Sequence, residues 1–172
     1  ICSSAEGSGE WDKQTVDDEG MVGSYTSLAC IAGRPAISYY RFMEGDLRYA
    51  INELADGSGQ WKNLNVDMGG IVGTYGSLCV IADKPRIAYY DETKRNLKYA
   101  WSIGPDGTEP WTFIYVDKSV GVGMYASLAT VDSFPAIAYY DETNTSLKYA
   151  NSWRPDGEEQ SLWSPDVIEG LG

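Results

Sequence analysis

Apolar and polar positions alternate along short stretches of this chain, as they do in half-buried β-strands. In one unit the stretches cover residues 127–131, 135–140 and 146–150, each bounded by turn-forming residues. A fourth stretch, at 61–66 in one unit and at 163–168 in another, begins with Trp and alternates like an outer, half-exposed strand. The pattern predicts four antiparallel strands in each unit.

The unit recurs every fifty residues without an insertion through its first three copies. Three sets of residues mark the register: Trp11, Trp61 and Trp111; Pro35, Pro85 and Pro135; Tyr25, Tyr75 and Tyr125. Four short strands and their turns need about 40 to 50 residues, so the period is typical of a four-stranded propeller blade. We therefore predict an all-β fold, a β-propeller of four-stranded antiparallel blades.

The repeat also predicts how the chain is divided. We expect a single repeat domain over residues 1–172, with blades at about 21–67, 71–117 and 121–168 and one extra outer strand at about 11–16. Propellers typically have about four to eight blades, so three do not close a ring. Two alternatives follow: the chain is a piece of a longer propeller, or several copies assemble as a homo-oligomer in which the N-terminal strand completes another chain's blade.

Charge limits the partners of this protein. Thirteen basic and twenty-five acidic residues give a net charge of -12, which repels phosphate backbones and anionic lipid. No apolar run approaches the roughly 20 residues that span a bilayer. We expect neither nucleic-acid binding nor membrane insertion.

Cysteine and histidine exclude further chemistry. Cys2, Cys30 and Cys79 occupy different places in the repeat, so they form neither a disulfide framework nor a metal-ligand pattern. We expect Cys30 and Cys79 to be small buried side chains, because they alternate within apolar strands. The chain contains no histidine, which removes His-based triads and His metal sites.

A short motif lies between the third and fourth strands of each unit. It reads AEGSGEW at 5–11, ADGSGQW at 55–61, PDGTEPW at 105–111 and PDGEEQSLW at 155–163. These segments resemble degenerate Asp-boxes of the sialidase-like (BNR) propellers, and the whole unit resembles a repeat family of secreted bacterial β-propellers. The resemblance implies a propeller fold, a structural role for the Asp-box, and a secreted or cell-surface location.

Catalysis is not favoured by the placement of charged residues. A sialidase-type site, by resemblance, needs three arginines at the ring centre, whereas the arginines here fall at unrelated phases of the repeat. Acids such as Asp17, Asp67 and Asp117 recur at equivalent phases, which indicates a structural task. No cofactor is implied. Ca²⁺ on the loops DDEG (17–20) and DET (91–93) is a weaker alternative, because neither follows a D-x-D-x-D-G pattern.

Binding is the activity that the sequence favours. The loops between second and third strands and the crossings between blades should emerge on one face, and aromatic rings beside carboxylates can hold a sugar. The expected ligand-binding residues are Tyr25, Tyr75, Tyr125, Arg41, Phe42, Asp91 and Asp141. Buried packing is the alternative for the tyrosines, and Phe42 with Met43 is either a partner contact or a plug between blades.

Together these patterns predict a non-enzymatic binding scaffold that recognises glycan or protein. The alternatives are part of a glycosidase-like or sialidase-like enzyme, or a purely structural repeat.

Overall fold

The structure, a computed structural model, describes residues 6–169. It contains twelve β-strands and one short 3-10 helix at Gln160–Leu162. The strands, in chain order, are β1 Val22–Ile31, β2 Arg34–Arg41, β3 Asp46–Asn52, β4 Trp61–Asp67, β5 Val72–Ile81, β6 Lys84–Asp91, β7 Asn96–Ser102, β8 Trp111–Asp117, β9 Val122–Val131, β10 Phe134–Asp141, β11 Ser146–Ser152 and β12 Trp163–Glu169.

The strands form three antiparallel sheets of four, each a meander in chain order. We call them blade 1 (β1–β4), blade 2 (β5–β8) and blade 3 (β9–β12). The first strands lie side by side, since β5 contacts both β1 and β9. This arrangement is a partial β-propeller, as the repeat predicts, and its two end sheets are open.

Two apolar cores fill the spaces between blades. Leu47 and Tyr49 of blade 1 pack with Leu78 and Ile87 of blade 2 in the first core. The second core repeats the arrangement between blades 2 and 3, with Leu97 and Tyr99 against their counterparts. Because each blade buries its faces against a neighbour, packing between repeats, rather than within one, excludes water from the apolar side chains.

The first strand of each blade begins earlier than the alternation indicates. The crossing predicted for residues 67–77 ends at Ile71, and β5 begins at Val72. Register shifts between Val72 and Ser77 show a bulge against β6. An extra residue in a bulge interrupts strict alternation, so the sequence pattern loses the strand there.

The extra outer strand expected at 11–16 is not a regular strand in the structure; only Trp11 forms an isolated bridge. The segment nevertheless lies along blade 1, because Trp61 Nε1 donates to Gln14 Oε1 (3.0 Å) and Asn63 Nδ2 donates to the Val16 carbonyl (3.0 Å). A strand needs the backbone of a neighbouring strand for its hydrogen bonds. Side-chain bonds take their place here.

The cysteines differ from expectation. Cys30 is exposed and Cys79 is half-buried, and both are free thiols. Cys79 packs on the core between blades 2 and 3, whereas Cys30 lies one position further along the repeat, where the adjoining face is less covered. Cys2 lies outside the described residues.

None of the described residues belong to a helix with the length and apolar character needed to cross a membrane.

Candidate functional site

Three tyrosines form a row across the first strands of the blades. The rings of Tyr25 and Tyr75 lie 4.7 Å apart between centroids, and those of Tyr75 and Tyr125 lie 4.5 Å apart, both tilted by 54°. We call Tyr25, Tyr75 and Tyr125 the tyrosine row. Their separation is within the range of favourable aromatic pairs, so the row is a continuous aromatic surface.

The backbone directs these side chains. Each tyrosine of the row sits in the bulge of its strand with a positive φ, 52° at Tyr25, 55° at Tyr75 and 54° at Tyr125. A left-handed conformation costs a non-glycine residue about 1 to 3 kcal/mol and is often found at functional sites. The same strained geometry in three blades aligns the three rings.

The row is supported from behind and open in front. Tyr40, Tyr90 and Tyr140 of the second strands lie 6.1, 6.3 and 6.4 Å from Tyr25, Tyr75 and Tyr125 respectively. Tyr25 is 42% exposed and Tyr125 66% exposed. Burial, followed by hydrogen bonds with the two flanking phenols, raises the pKa of Tyr75, so its hydroxyl stays protonated at neutral pH.

A pocket opens between the tyrosine row and the hairpin turns of blades 2 and 3. It has a volume of about 580 Å³ and is lined by Tyr25, Tyr75, Tyr90, Glu92, Arg95, Met124 and Glu142. Ligand pockets typically measure about 300 to 1,000 Å³. We call this cavity the tyrosine pocket.

One ion pair crosses the tyrosine pocket from blade 2 to blade 3. Arg95 Nη2 lies 2.9 Å from Glu142 Oε2, and both side chains are about half exposed. The hydrogen bond from Glu142, followed by that from Tyr90, raises the pKa of the Arg95 guanidinium. Glu92, on the neighbouring turn, has no ion pair among the described residues. The pocket therefore combines two carboxylates and one guanidinium beside aromatic faces.

The turns and crossings emerge on one face, as the sequence analysis expects. The Glu92 N–H donates to the Ile71 carbonyl (2.9 Å), and the Glu142 N–H donates to the Gly121 carbonyl (2.8 Å). Each second hairpin is thereby tied to the crossing that enters its own blade.

Asp91 and Asp141 are not available to a ligand, which corrects their assignment as binding residues. Both are 1% exposed. Asp91 Oδ1 accepts a hydrogen bond from the Lys94 N–H (2.8 Å), and Asp141 Oδ1 accepts one from the Asn144 N–H (2.9 Å). Successive strand residues point to opposite sides, so the following glutamates reach the pocket instead.

Arg41 and Phe42 lie on the same face but at blade 1, outside the tyrosine pocket. Arg41 Nε pairs with Glu44 Oε2 at 2.7 Å. Phe42 is 60% exposed, and its ring centroid lies 6.3 Å from that of Tyr40. Phe42 is therefore not a buried plug, and its part in ligand binding stays a prediction.

The recurring aspartates join neighbouring blades. Their acceptor oxygens receive the hydroxyl of Tyr39 on Asp17 (2.6 Å), of Tyr89 on Asp67 (2.8 Å) and of Tyr139 on Asp117 (2.8 Å). Lys98 and Lys148 add ion pairs to Asp67 and Asp117. This repeated, buried arrangement confirms a structural task for these acids.

The Asp-Gly hairpins also have a structural geometry. Asp106 Oδ1 accepts hydrogen bonds from the Thr108 N–H (3.0 Å) and hydroxyl (2.7 Å). Gly107 has a φ of 80°, and Trp111 Nε1 donates to its carbonyl (3.0 Å). The Asp thus ties the turn, Gly takes the left-handed conformation and Trp closes the hairpin.

Residues 6–169 contain no group of three or more Cys, His, Asp or Glu side chains arranged to hold a metal ion. The acidic loops at 17–20 and 91–93 use their first aspartates in hydrogen bonds of their own, such as the Glu19 N–H to Asp17 Oδ1 (3.0 Å). The Ca²⁺ alternative gains no support.

Sequence reasoning missed Glu92, Arg95 and Glu142. A signal existed for Arg95, because the equivalent residues of blades 1 and 3 are Gly45 and Thr145. A site for one ligand requires residues that break the repeat, and Arg95 does so at a position with a φ of 58°.

The fold is that of a β-propeller. Two solved structures share it: an alpha-L-arabinofuranosidase from Lactobacillus brevis, with a TM-score of 0.56 and 11% identity over 84% of this chain, and a thermostable family-43 glycoside hydrolase, with a TM-score of 0.55 and 12% identity over 89%. The chain spans 53% and 55% of those two structures. No family model matches the chain, and neither does any curated protein.

These matches correct the expectation of a non-enzymatic protein, because both structures of the same fold are glycoside hydrolases. At this identity the likeness shows the fold alone. The Asp-box resemblance to sialidases is not supported by any of the comparisons.

Proposed function

We propose that this chain supplies a glycan-binding pocket of a glycoside hydrolase-like β-propeller, and that the tyrosine pocket is where the sugar binds. The observation behind the proposal is the tyrosine pocket, which places stacked tyrosines, two glutamates and an arginine in one cavity. The glycoside hydrolases of the same fold support the choice of ligand class.

The chemistry of the pocket suits a sugar. The C–H face of a pyranose or furanose ring is apolar and packs on aromatic rings, while its hydroxyls need hydrogen-bond donors and acceptors. The tyrosine row offers the first, and Glu92, Arg95 and Glu142 offer the second. With only one guanidinium against two carboxylates, the pocket favours a neutral sugar over an acidic one.

The carboxyl pair also suits hydrolysis. Glycoside hydrolysis uses one carboxylic acid to protonate the leaving oxygen and one carboxylate that activates water or attacks the anomeric carbon. Glu92 and Glu142 stand at equivalent places in successive turns, but only Glu142 is held by Arg95. Different surroundings of two carboxyl groups are what separates an acid role from a base role.

The first prediction concerns sugar binding. Titrating the chain with an arabino-oligosaccharide in a calorimeter should show binding, which Tyr75→Ala and Arg95→Gly should each weaken at least tenfold. Arg95→Gly removes the guanidinium but places the residue of blade 1 at a left-handed position, so the melting temperature should not fall. Trp153→Ala is the matched control, because Trp153 is 70% exposed outside the tyrosine pocket.

The same preparation should release 4-nitrophenol from 4-nitrophenyl α-L-arabinofuranoside, and Glu92→Gln and Glu142→Gln should each abolish that release. Glu109→Gln, on an exposed hairpin of blade 2, should leave it unchanged. Absence of binding to arabino-oligosaccharides and to a wider neutral glycan array would contradict the proposal and favour a purely structural repeat. Binding with unchanged release in both glutamate variants would remove their catalytic assignment.

A further inference from the structure

Blade 1 has an open face that its equivalents bury. Leu28 is 70% exposed, whereas Leu78 and Leu128, at the same place in blades 2 and 3, are 6% and 7% exposed. The latter two pack against the preceding blade. A small cavity lined by Val22, Ile37 and Tyr39, among others, opens on the same side. We call this side of blade 1 the leading face.

Blade 3 has the complementary open face. Leu147 is 45% exposed, whereas Leu47 and Leu97 are fully buried. Val131 is 51% exposed, whereas Ile31 and Ile81 are 0% and 2% exposed. These positions pack against the following blade in both internal interfaces. We call this side of blade 3 the trailing face.

A hydrogen bond and a hairpin are also left without their counterparts. Tyr49 donates to the Asp106 carbonyl (2.9 Å) and Tyr99 to the Asp156 carbonyl (3.0 Å), each on the hairpin of the following blade. Tyr149, the equivalent residue of blade 3, has no following hairpin among the described residues. The hairpin of blade 1 at 54–60 has no preceding tyrosine. Each unmatched half at one end therefore finds its partner at the other end.

Residues 11–17 already stand where the outer strand of a preceding blade would be. Asp17 accepts a hydrogen bond from Tyr39, as Asp67 does from Tyr89. The segment WDKQTVD shares Trp, Val and Asp with WKNLNVD and WTFIYVD of β4 and β8, whereas β12 reads WSPDVIE. β12 also contains Pro165, which cannot donate a backbone hydrogen bond. Residues 11–17 thus fit the repeat better than β12 does.

We propose that two copies of this chain close a six-bladed ring, in which the trailing face of each packs on the leading face of the other. Residues 11–17 of one copy then pair with β11 of its partner in place of β12, since both cannot occupy the outer position. Two arcs of three blades give a ring size within the usual range of about four to eight, whereas three copies would exceed it. The internal interfaces, repeated twice, supply the geometry.

The solution mass of the 172-residue chain tests the assembly. Light scattering after gel filtration should give twice the 18.9 kDa of one chain. Leu28→Glu and Leu147→Glu should each yield the single-chain mass, because either places a charge in both interfaces of the ring. Ile103→Glu is the matched control: Ile103 is 57% exposed on a loop of blade 2, and its replacement should leave the doubled mass. Melting curves of the monomeric variants establish that they are folded.

A cross-link tests the exchange of strands. Trp101 and Thr112 are paired across β7 and β8, and the equivalent residues of the exchanged pair are Asn151 and Asp12. With the native cysteines changed to serine, a mixture of Asp12→Cys and Asn151→Cys chains should form an interchain disulfide that neither chain forms alone.

A single-chain mass at every concentration would overturn the assembly. So would a doubled mass that persists in both glutamate variants, because the copies would then meet elsewhere. Absence of the disulfide from a confirmed dimer would overturn the strand exchange. The Arg95→Gly variant should keep the doubled mass, so failure of this inference and failure of glycan binding are separable.

Discussion

The carboxylate of Asp117 joins two blades by satisfying several donors at once. It accepts hydrogen bonds from the Tyr139 hydroxyl (2.8 Å) and the Ser119 N–H (2.9 Å) and pairs with Lys148. Burial opposes ionisation, but the bonds to Lys148, Ser119 and Tyr139 outweigh it and hold the pKa of Asp117 below its ordinary value of 3.8. The folded state therefore favours the ionised form.

Replacing Asp117 by Asn should lower the free energy of unfolding at pH 7 by about 3 kcal/mol, since it leaves the Lys148 ammonium buried without its carboxylate. A lowered pKa stabilises the fold above the unfolded value of 3.8, and this stabilisation is lost as pH falls through the folded pKa. Urea unfolding at pH 7 and pH 3 should thus show a smaller difference between the variant and the native chain at pH 3. Asp132→Asn, an exposed site, is the control and should behave as the native chain does at both pH values.

Each hairpin between third and fourth strands packs on the blade before it. A Cβ at Gly107 would lie 2.6 Å from Cε1 of Tyr49, whose ring also packs 5.1 Å from Trp111 between centroids. Gly107 has a φ of 80°, which glycine adopts without steric cost. The hairpin therefore needs glycine twice, for its turn and for its approach to the neighbouring blade.

Gly107→Ala should destabilise the fold by about 2 to 4 kcal/mol, because backbone strain adds to displacement of the buried Tyr49. Gly33→Ala separates the two effects, since Gly33 has a φ of 74° and open space around its Cβ position. It should cost only about 1 kcal/mol. Chemical denaturation of both variants measures the difference, and equal losses would show that the hairpin does not depend on contact with blade 1.

The molecule as a whole depends on stacking of its blades. Leu78 and Ile87 of blade 2 face blade 1, while Leu97 and Tyr99 face blade 3. A single blade would expose both sets to water, which forfeits on the order of 1.5 to 3 kcal/mol for each well-buried side chain.

A peptide of residues 71–117 should accordingly lack the near-ultraviolet circular dichroism of packed tyrosines that the full chain shows. A cooperative melting transition of the isolated blade would contradict this dependence on neighbours. The full 172-residue chain, measured under the same conditions, is the reference.

The sequence predicts the fold well because the repeat constrains it many times over. The positions of Trp, Pro and Tyr fix the unit, and alternation fixes three of its four strands almost to their ends. The first strand escapes because the bulge at Tyr75 breaks the alternation. The site is predicted less completely. The tyrosine row follows from its recurrence, but whether Asp91 or Glu92 faces a ligand depends on which side of the turn is covered.

Sequence alone determined the blade, because equal spacing of apolar residues can bury them only by stacking equal sheets. Tertiary structure alone decided which polar groups meet. Glu142 belongs to one blade and Arg95 to another, 47 positions apart, and their meeting depends on the rotation between sheets. Tertiary structure also revealed the two open faces, since Leu28 and Leu147 look the same in sequence as the leucines that neighbouring blades cover.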